Sequence, residues 1–385
     1  MQTLISIDKK GNENLIGEYE LFATNNDGYH HILNSNKKYG LINQKGHIIL
    51  PCEFDRINPT IIDNLILVKK DGLFGYYNTN GEKSIDFRFK VAHDFDNGIA
   101  AVKEQDTGQK YYLINKKGER VSQNTFDYVF GFYGSDLAYF KNDGKYGFIN
   151  NNGEIKIECI YEEVEGFSEG IAAVKQNGFW GGINMNGETL IEFKFDNSFD
   201  FREGLSRIKG KGGYGFIDTK GALIIPYQYS FAWIFRDSHA SVTKNGASWF
   251  IDKKGTPLNT FQYSHIDQFD TSGYARFTKD GLMGFMNKKG VEVIEAKFKD
   301  IDFFYEGLAK YKIKDKVYFI NLDGEVVIER KCTNANKFQD GLSRVKLKSL
   351  YGFIDKDNNL VIEYKYETVT DFYEGFALAQ KDYKN

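Results

Sequence analysis

The sequence predicts an all-β fold built from a tandem array of short repeats. An element of the form aromatic-Gly-apolar-Ile-(Asn/Asp)-x-x-Gly recurs along the chain, first clearly at Tyr39–Gly46. The composition fits this pattern, because 16% of the residues are aromatic and the chain has 39 glycines but only 4 prolines. No stretch shows the sustained 3.6-residue periodicity of a substantial helix. Repeats must be considered first, because they determine the architecture.

The closing glycine of this element sets the period. It stands at Gly46, Gly81, Gly118, Gly153, Gly187, Gly221, Gly255, Gly290 and Gly324, with spacings of 34 to 37 residues. Asn358 takes the same position in the last repeat, and Gly11 takes it in a weaker first copy. The spacing predicts about eleven units of about 34 residues. Residues 1–35 are then a degenerate N-terminal unit, and residues 359–385 are a C-terminal capping segment.

Two aromatic columns keep phase with the glycine. A large apolar side chain follows it after eight residues, except at Cys332, and phenylalanine follows after fourteen residues, except at Thr60. The second column is Phe95, Phe132, Phe167, Phe201, Phe235, Phe269, Phe304, Phe338 and Phe372. Rings at fixed phase on predicted inward faces indicate core packing rather than ligand platforms.

Each unit is predicted to be a β-meander. In the unit around residue 180, β-prone segments cover 172–175, 179–183 and 189–192 and are separated by turns. Asn184 followed by Gly187 is the signature of a type I turn. The segment 195–201 is predicted to be a connector that carries two core rings.

A unit of this size cannot bury its own apolar face, so we expect one continuous array over residues 1–385. No linker or change in composition divides the chain. Propellers typically have about four to eight blades of four strands with longer repeats. We therefore predict an open superhelix of small sheets, with one or two closed propeller-like rings as the alternative.

The full pattern resembles the WG repeat, which is found widely in bacterial proteins. Residues 214–242 match its motif closely, with Tyr214-Gly215-Phe216-Ile217-Asp218, then Gly221 and Pro226, and one unit has the literal pair Trp180-Gly181. Elsewhere tryptophan is mostly replaced by Tyr, Phe or Met, and the motif proline survives only at Pro51 and Pro226. The resemblance implies a binding or scaffold role in a bacterial protein and transfers no catalytic residues.

Charge and hydrophobicity limit the partners. The net charge of −3 argues against a nucleic-acid partner, which requires a basic surface. No run approaches the roughly 18 apolar residues of a membrane-spanning helix, and the N-terminus does not have the pattern of a secretory signal. We expect a cytoplasmic protein without membrane contact, or alternatively an effector secreted by a non-standard route. The sequence does not indicate an oligomeric state.

No motif for catalysis, a metal or a cofactor is evident. His30 and His31 are adjacent, and neighbours in a strand point to opposite faces, so we expect no shared metal. The Asn/Asp column of the turns offers one oxygen donor per unit, whereas calcium takes about six to eight ligands. Turn capping explains this column better. We predict that the protein is not an enzyme and has no cofactor.

A second acidic column precedes the glycine of the Phe-x-x-Gly turn. It contains Glu169, Glu203, Asp237, Glu306, Asp340 and Glu374. We interpret these acids as solvated turn residues that discourage pairing of sheet edges. The alternative is an acidic stripe that binds basic partner segments.

Aromatic residues outside the regular columns are the candidate binding residues. Six lie out of phase and are expected to be exposed: Tyr133, Tyr139, Phe140, Trp233, Tyr305 and Tyr373. Of these, Tyr133, Trp233, Tyr305 and Tyr373 are the candidate binding residues. Three place a bulky ring where other units have the glycine of the aromatic-Gly pair: Tyr112, Trp249 and Tyr318. We expect a scaffold that binds a protein or peptide. A glycan-binding module is the alternative, and an enzyme with a site at residues 111–140 or 248–277 is less favoured.

Overall fold

The computed structural model describes residues 2–24, 28–104, 110–132, 134–259 and 261–381, with only the backbone of residues 23 and 24. Within these ranges the chain forms 40 β-strands and no helix, so the all-β prediction is confirmed. Cross-strand pairs are antiparallel throughout, as short meanders joined by tight turns require.

The strands are short and follow one another closely. The first fourteen are β1 (Thr3–Asp8), β2 (Glu13–Glu18), β3 (Glu20–Thr24), β4 (Tyr29–Leu33), β5 (Tyr39–Asn43), β6 (Ile48–Phe54), β7 (Arg56–Ile62), β8 (Leu65–Lys70), β9 (Leu73–Asn78), β10 (Lys83–Ala92), β11 (Ile99–Glu104), β12 (Tyr112–Asn115), β13 (Tyr128–Val129) and β14 (Leu137–Asn142). The next thirteen are β15 (Lys145–Asn150), β16 (Ile155–Tyr161), β17 (Glu163–Val164), β18 (Ala172–Gln176), β19 (Phe179–Ile183), β20 (Thr189–Phe195), β21 (Phe201–Arg202), β22 (Leu205–Gly210), β23 (Gly213–Asp218), β24 (Leu223–Tyr229), β25 (Phe231–Ala232), β26 (Ala240–Lys244) and β27 (Ala247–Ile251). The last thirteen are β28 (His265–Ile266), β29 (Tyr274–Lys279), β30 (Leu282–Asn287), β31 (Glu292–Phe298), β32 (Ala309–Ile313), β33 (Lys316–Ile320), β34 (Val326–Lys331), β35 (Asn334–Ala335), β36 (Ser343–Leu347), β37 (Leu350–Ile354), β38 (Leu360–Tyr366), β39 (Thr368–Val369) and β40 (Phe376–Lys381).

These strands form ten sheets among the described residues. Numbered along the chain, they are sheet 1 (β3–β6), sheet 2 (β7–β12), sheet 3 (β13–β16), sheet 4 (β17–β20), sheet 5 (β21–β24), sheet 6 (β25–β27), sheet 7 (β28–β31), sheet 8 (β32–β34), sheet 9 (β35–β38) and sheet 10 (β39, β40, β1 and β2). Sheet 2 joins two units, because the long strand β10 pairs with β9 at one end and with β11 at the other. Nine single units and this double one make eleven units, as the spacing predicted.

The ring is closed by the two ends of the chain. Strand β1 pairs with β40 from Thr3↔Lys381 to Asp8↔Phe376. The C-terminal unit has only its first two strands, and β1 and β2 supply its third and fourth. The result is a propeller-like ring, so the closed-ring alternative is confirmed and the favoured open superhelix is not formed. Closure gives each sheet a neighbour on both sides, whereas an open array would leave the apolar faces of its two end units uncovered.

The core lies between neighbouring sheets. One cluster joins Phe148 and Ile157 of sheet 3 to Val174 and Ile183 of sheet 4, and equivalent clusters recur around the ring. The second aromatic column supplies its predicted rings: Phe167 contacts Phe148 edge to face, with ring centroids 4.9 Å apart. The same contact recurs between later units. The core role predicted for these columns is confirmed.

The glycine of the aromatic-Gly pair is required by a close backbone approach. A Cβ atom on Gly147 would lie 2.5 Å from the carbonyl oxygen of Ile157, and one on Gly215 would lie 2.5 Å from that of Ile225. The third and fourth strands change register at this point in both units. The fourth strand therefore passes directly over the glycine.

The three units with a bulky ring at this position depart from the regular sheet. At Tyr112 and Trp249 the fourth strand is reduced to isolated bridges, such as Tyr111↔Phe126 and Ser248↔Tyr263. At Tyr318 the fourth strand is kept, and it pairs without the register shift at this position. These substitutions thus have a local structural effect, as their sequence positions indicated.

Candidate functional site

The first and third turns of the units lie at the same end of the sheets, because successive antiparallel strands reverse direction. We call the turn between the first and second strands the first turn, and that between the third and fourth strands the third turn. Lys253 of a third turn lies 3.3 Å from Glu203 of a first turn, and Lys356 lies 3.2 Å from Glu306 in the same way. These turns together form the turn rim of the ring.

The acidic column links neighbouring first turns. Glu169 accepts hydrogen bonds from the backbone N–H groups of Glu203 at 2.6 Å and Gly204 at 2.8 Å. Glu306 accepts one from Gly341 at 3.1 Å. These acids are exposed or half-exposed turn residues, as interpreted, but their carboxylates also bind the next unit, which the sequence interpretation did not include. Since donor and acceptor lie about one period apart, the regular spacing is the signal that could have revealed the link.

Three neighbouring cavities follow the turn rim from sheet 6 to sheet 1. The first, of about 380 Å³, is lined by residues that include Trp233, Arg236, Phe303 and Tyr305. The second, of about 550 Å³, extends from Tyr305 past Lys337 to Tyr373. The third, of about 320 Å³, continues from Tyr373 to the third turn of sheet 1. Because neighbouring cavities share Tyr305 and Tyr373, we treat them as one rim groove.

Aromatic side chains line this groove. Trp233 is 43% exposed and Tyr305 is 38% exposed, as predicted for rings outside the regular columns. Trp233 meets Phe231 edge to face at 5.4 Å, which holds the indole in place. Tyr373 is half-buried and packs closely against Gly28, where a Cβ atom would lie 2.7 Å from its ring. Three of the seven predicted binding residues are thus brought together along one groove.

Three of the carboxylates that line the groove form ion pairs within the chain, whereas Asp270 and Glu374 form none among the described residues, and neither do its cations Lys45, Arg236 and Lys337. The internal ion pairs are Asp267–Arg276 at 2.8 Å, Glu306–Lys356 at 3.2 Å and Asp371–Arg344 at 3.3 Å. Lys337 lies over the ring of Tyr305, with its Nζ 4.2 Å from the centroid. Among the described residues, no carboxylate lies within ion-pair distance of Lys337 or Arg236. The groove therefore presents exposed rings beside cations that form no ion pair with the described residues.

A buried histidine forms part of the floor. His30 is 3% exposed and hydrogen-bonds Gln44. Gln44 donates its Nε2 to the carbonyl oxygen of Phe376 at 2.6 Å, so its Oε1 faces His30, which must donate from its Nε2. Burial lowers the pKa of His30. The imidazole is thus neutral at physiological pH and fixes the junction between sheets 10 and 1.

The other predicted site residues lie elsewhere. Tyr133 is outside the described residues. The expected exposure is wrong for Phe140, which is buried in the core against Phe126, and Tyr139 is half-buried. Tyr112 is buried, donates to Glu104 at 2.7 Å, and has its pKa raised by that burial. Trp249 is half-buried against Tyr229. Tyr318 stacks on Tyr311, outside the rim groove, with ring centroids 4.9 Å apart.

The sequence-based reasoning missed Arg236, Phe303 and Lys337. Phe303 and Lys337 each stand immediately before a phenylalanine of the second column, and Arg236 stands immediately after one. Because these positions flank the buried rings at the first turn, a comparison of the residues beside that column would have identified them. No group of three or more His, Cys, Asp or Glu side chains able to hold a metal ion occurs among the described residues.

Ten consecutive segments of the chain match the family model of the WG containing repeat. They are residues 39–74, 74–107, 113–146, 146–178, 180–213, 214–246, 250–282, 283–316, 319–351 and 351–384. The chain belongs to the WG-repeat family. This confirms the resemblance, and the matches leave out residues 1–38, which include the β1 and β2 half of the divided unit. A search of curated proteins finds no match.

The solved structures that match this WG-repeat chain share little sequence with it. They include a eukaryotic initiation factor (10% identity, TM-score 0.43, covering 86% of this chain and 96% of that one). KlHsv2 with loop 6CD replaced by a Gly-Ser linker has 8% identity and a TM-score of 0.30, with 68% and 89% coverage. PorZ of Porphyromonas gingivalis has 8% identity and a TM-score of 0.26, with 98% and 78% coverage. In the described part of the chain, no helix has the length and hydrophobicity needed to span a bilayer.

Proposed function

We propose that this WG-repeat protein is a non-catalytic scaffold that binds an extended peptide segment of a protein partner in the rim groove. The observation that carries this proposal is the row of three neighbouring cavities along sheets 6 to 10 and sheet 1, where exposed rings alternate with Arg236 and Lys337. An extended groove matches an extended chain better than it matches a compact small molecule.

The side chains of the groove indicate the chemistry of the partner. Tryptophan, tyrosine and arginine are the residue types that most often dominate binding energy at protein interfaces. Trp233 and Tyr305 would pack against apolar or aromatic side chains, and Arg236 and Lys337 would pair with carboxylates. We therefore expect a segment in which acidic residues alternate with apolar ones.

A glycan is the second candidate ligand, because flat exposed rings beside amide side chains also suit sugars. Gln268 lines the first cavity with Trp233, and Gln339 lines the second with Tyr305. Arg236 and Lys337 favour the peptide, because an acidic peptide offers carboxylates for them to pair with and a neutral sugar does not.

Selection from a random peptide display library tests the proposal. We expect peptides rich in acidic and apolar residues. In fluorescence polarisation, these should bind the double variant Trp233→Ala/Tyr305→Ala at least about tenfold more weakly, equivalent to about 1.4 kcal/mol. Phe179→Ala is the matched control, because Phe179 is 47% exposed and does not line the groove.

Two results would contradict the proposal. Selected peptides that bind the double variant as tightly as the unmodified protein would exclude the rim groove as their site. A glycan array with ligands that depend on Trp233 and Tyr305, together with a failed peptide selection, would replace the peptide by a sugar.

A further inference from the structure

A separate cavity of about 720 Å³ lies between sheets 7 and 8. Its volume falls within the range of roughly 300–1,000 Å³ that small-molecule sites occupy. Phe298 of sheet 7 and Tyr311, Ile320 and Val326 of sheet 8 or its turns form its apolar wall. None of the residues that line it also lines the rim groove.

The cavity occurs at a repeat that departs from the pattern at two positions. Cys332 replaces a core ring there, and Tyr318 replaces the glycine over which the fourth strand normally passes. The Tyr318 ring stacks on Tyr311, and Tyr311 contacts Phe298 with centroids 4.9 Å apart. These three rings form a continuous aromatic layer, and two of them, Tyr311 and Phe298, line the cavity.

The polar part of the cavity is strongly cationic. Four lysines line it, against one acid, Asp300, and they are Lys297, Lys299, Lys312 and Lys314. Lys312 donates its Nζ to the carbonyl oxygen of Thr333 at 2.6 Å. Lys299 and Lys314 are exposed, and within the described residues no carboxylate lies within ion-pair distance of either one. Such a concentration of positive charge is unexpected in a chain whose net charge is −3.

Exposed apolar side chains adjoin these lysines. Val326 is 51% exposed and Ile313 is 53% exposed, although both line the cavity. A ligand that covered them would remove apolar surface from water while placing an anion near the ammonium groups. A cationic amphiphile would meet uncompensated like charge, and a small inorganic anion would leave the apolar wall exposed.

We propose that this cavity binds a soluble anionic amphiphile, a fatty carboxylate. Its head group lies near Lys299 and Lys314, and its apolar chain lies against Tyr311, Phe298 and Val326. The ligand site is independent of the peptide groove, since the two share no lining residue. A carboxylate in a membrane lipid has related chemistry, so the experiment must separate the free molecule from a lipid surface.

Isothermal titration calorimetry with monomeric dodecanoate, below its micelle concentration, tests the proposal. We expect the full-length protein to bind dodecanoate and not dodecyltrimethylammonium, which has a similar chain and the opposite charge. The double variant Lys299→Glu/Lys314→Glu should bind at least about tenfold more weakly, because two attractive charges become repulsive. Lys289→Glu is the matched control, since Lys289 is an exposed lysine that does not line the cavity.

A second variant guards against a change in folding. Val326→Trp enlarges an exposed side chain at the cavity wall and should weaken dodecanoate binding at least about tenfold while the thermal unfolding midpoint stays within a few degrees. The groove variant Trp233→Ala/Tyr305→Ala should bind dodecanoate like the unmodified protein, so the two proposals can fail separately. The inference is overturned if the charge-reversal and Val326→Trp variants bind normally. It is also overturned if only vesicles of anionic phospholipid, and not dodecanoate, bind.

Discussion

Single backbone positions decide how each unit folds. The Asn or Asp of the third turn accepts hydrogen bonds from backbone N–H groups two and four residues later, as Asn150 does from Asn152 and Glu154 at 3.0 Å. The turn-capping role predicted for this column is confirmed. The glycine of the aromatic-Gly pair is required for a different reason. A carbonyl oxygen of the fourth strand passes too close to leave room for a side chain. Both demands come from local geometry, so both could be predicted or explained from the repeat pattern.

Replacement of one such glycine should destabilise the ring. Gly147→Ala places a methyl group 2.5 Å from the carbonyl oxygen of Ile157, so the fourth strand must shift. We expect a loss of about 1–3 kcal/mol in the free energy of unfolding, the usual effect of overpacking. Urea denaturation measures it. Gly166→Ala is the control, because a Cβ atom there meets nothing within 4 Å and the φ angle is not positive.

Retention of full stability in Gly147→Ala would show that the fourth strand can move away without cost. The assignment of this glycine column to steric demand would then be wrong.

At the scale of elements, neighbouring units are joined by polar links at their first turns as well as by apolar packing between sheets. All six acids of the column adopt a positive φ, and the carboxylates of four, Glu169, Glu203, Glu306 and Asp340, also accept a hydrogen bond from the following first turn. Glu169 has a φ of 51° and Glu203 one of 54°. The positive φ of an acidic residue is uncommon and is kept here by the tight turn that ends in glycine. A carboxylate in this position joins the first turns of adjacent sheets.

Removal of one carboxylate should weaken this link. Glu169→Gln preserves the shape of the side chain but replaces one acceptor oxygen by an NH₂ group that faces a backbone N–H. We expect the free energy of unfolding to fall by about 1–2 kcal/mol, measured by urea denaturation. Glu192→Gln is the control, because the Glu192 side chain is 85% exposed and contacts only Lys194 at 3.5 Å. Equal stability of the two variants would contradict the role of the link.

The whole molecule depends on its closure, and closure was the feature that the sequence interpretation ranked second. The signal was present: residues 3–11 have the third strand and third turn of a unit without the strands before them, and residues 368–381 have the complementary half. The repeat count and the unit boundaries followed from periodicity alone. The rim groove could be predicted only in part, because the pairing of each acid and lysine depends on side chains of other units. The sequence identified out-of-phase rings such as Trp233. It could not show that Lys337 forms no ion pair with the described carboxylates, because that depends on the fold.

The closing junction should be sensitive to acid. Burial opposes the ionisation of Glu13, but hydrogen bonds from Lys365, Lys381 and Tyr366 outweigh it and lower its pKa from 4.5 to about 2. Because the folded-state pKa is depressed, the stabilisation is present above about pH 4.5 and is lost as the pH falls toward 2. We expect Glu13→Gln to have a lower thermal unfolding midpoint than the unmodified protein at pH 7, with a difference that shrinks below pH 4.5.

Differential scanning calorimetry between pH 3 and pH 7 provides this comparison. Glu82→Gln is a suitable control, because Glu82 lies in an exposed third turn far from the junction in sequence. A difference between Glu13→Gln and the unmodified protein that stayed constant with pH would show that the ion pairs do not hold the closure.

Sheet 10, which is built from both ends of the chain, has a topological consequence. Thr3 and Lys381 face each other on adjacent strands, so the two ends of the described chain leave the molecule side by side. The order of units around the circle is therefore independent of the point at which the polypeptide starts. A circularly permuted chain, with the present ends joined by a peptide and new ends at an exposed hairpin such as the one containing Gly144, would form the same ring. The start of the chain marks a location on the ring, and the architecture itself has no first unit.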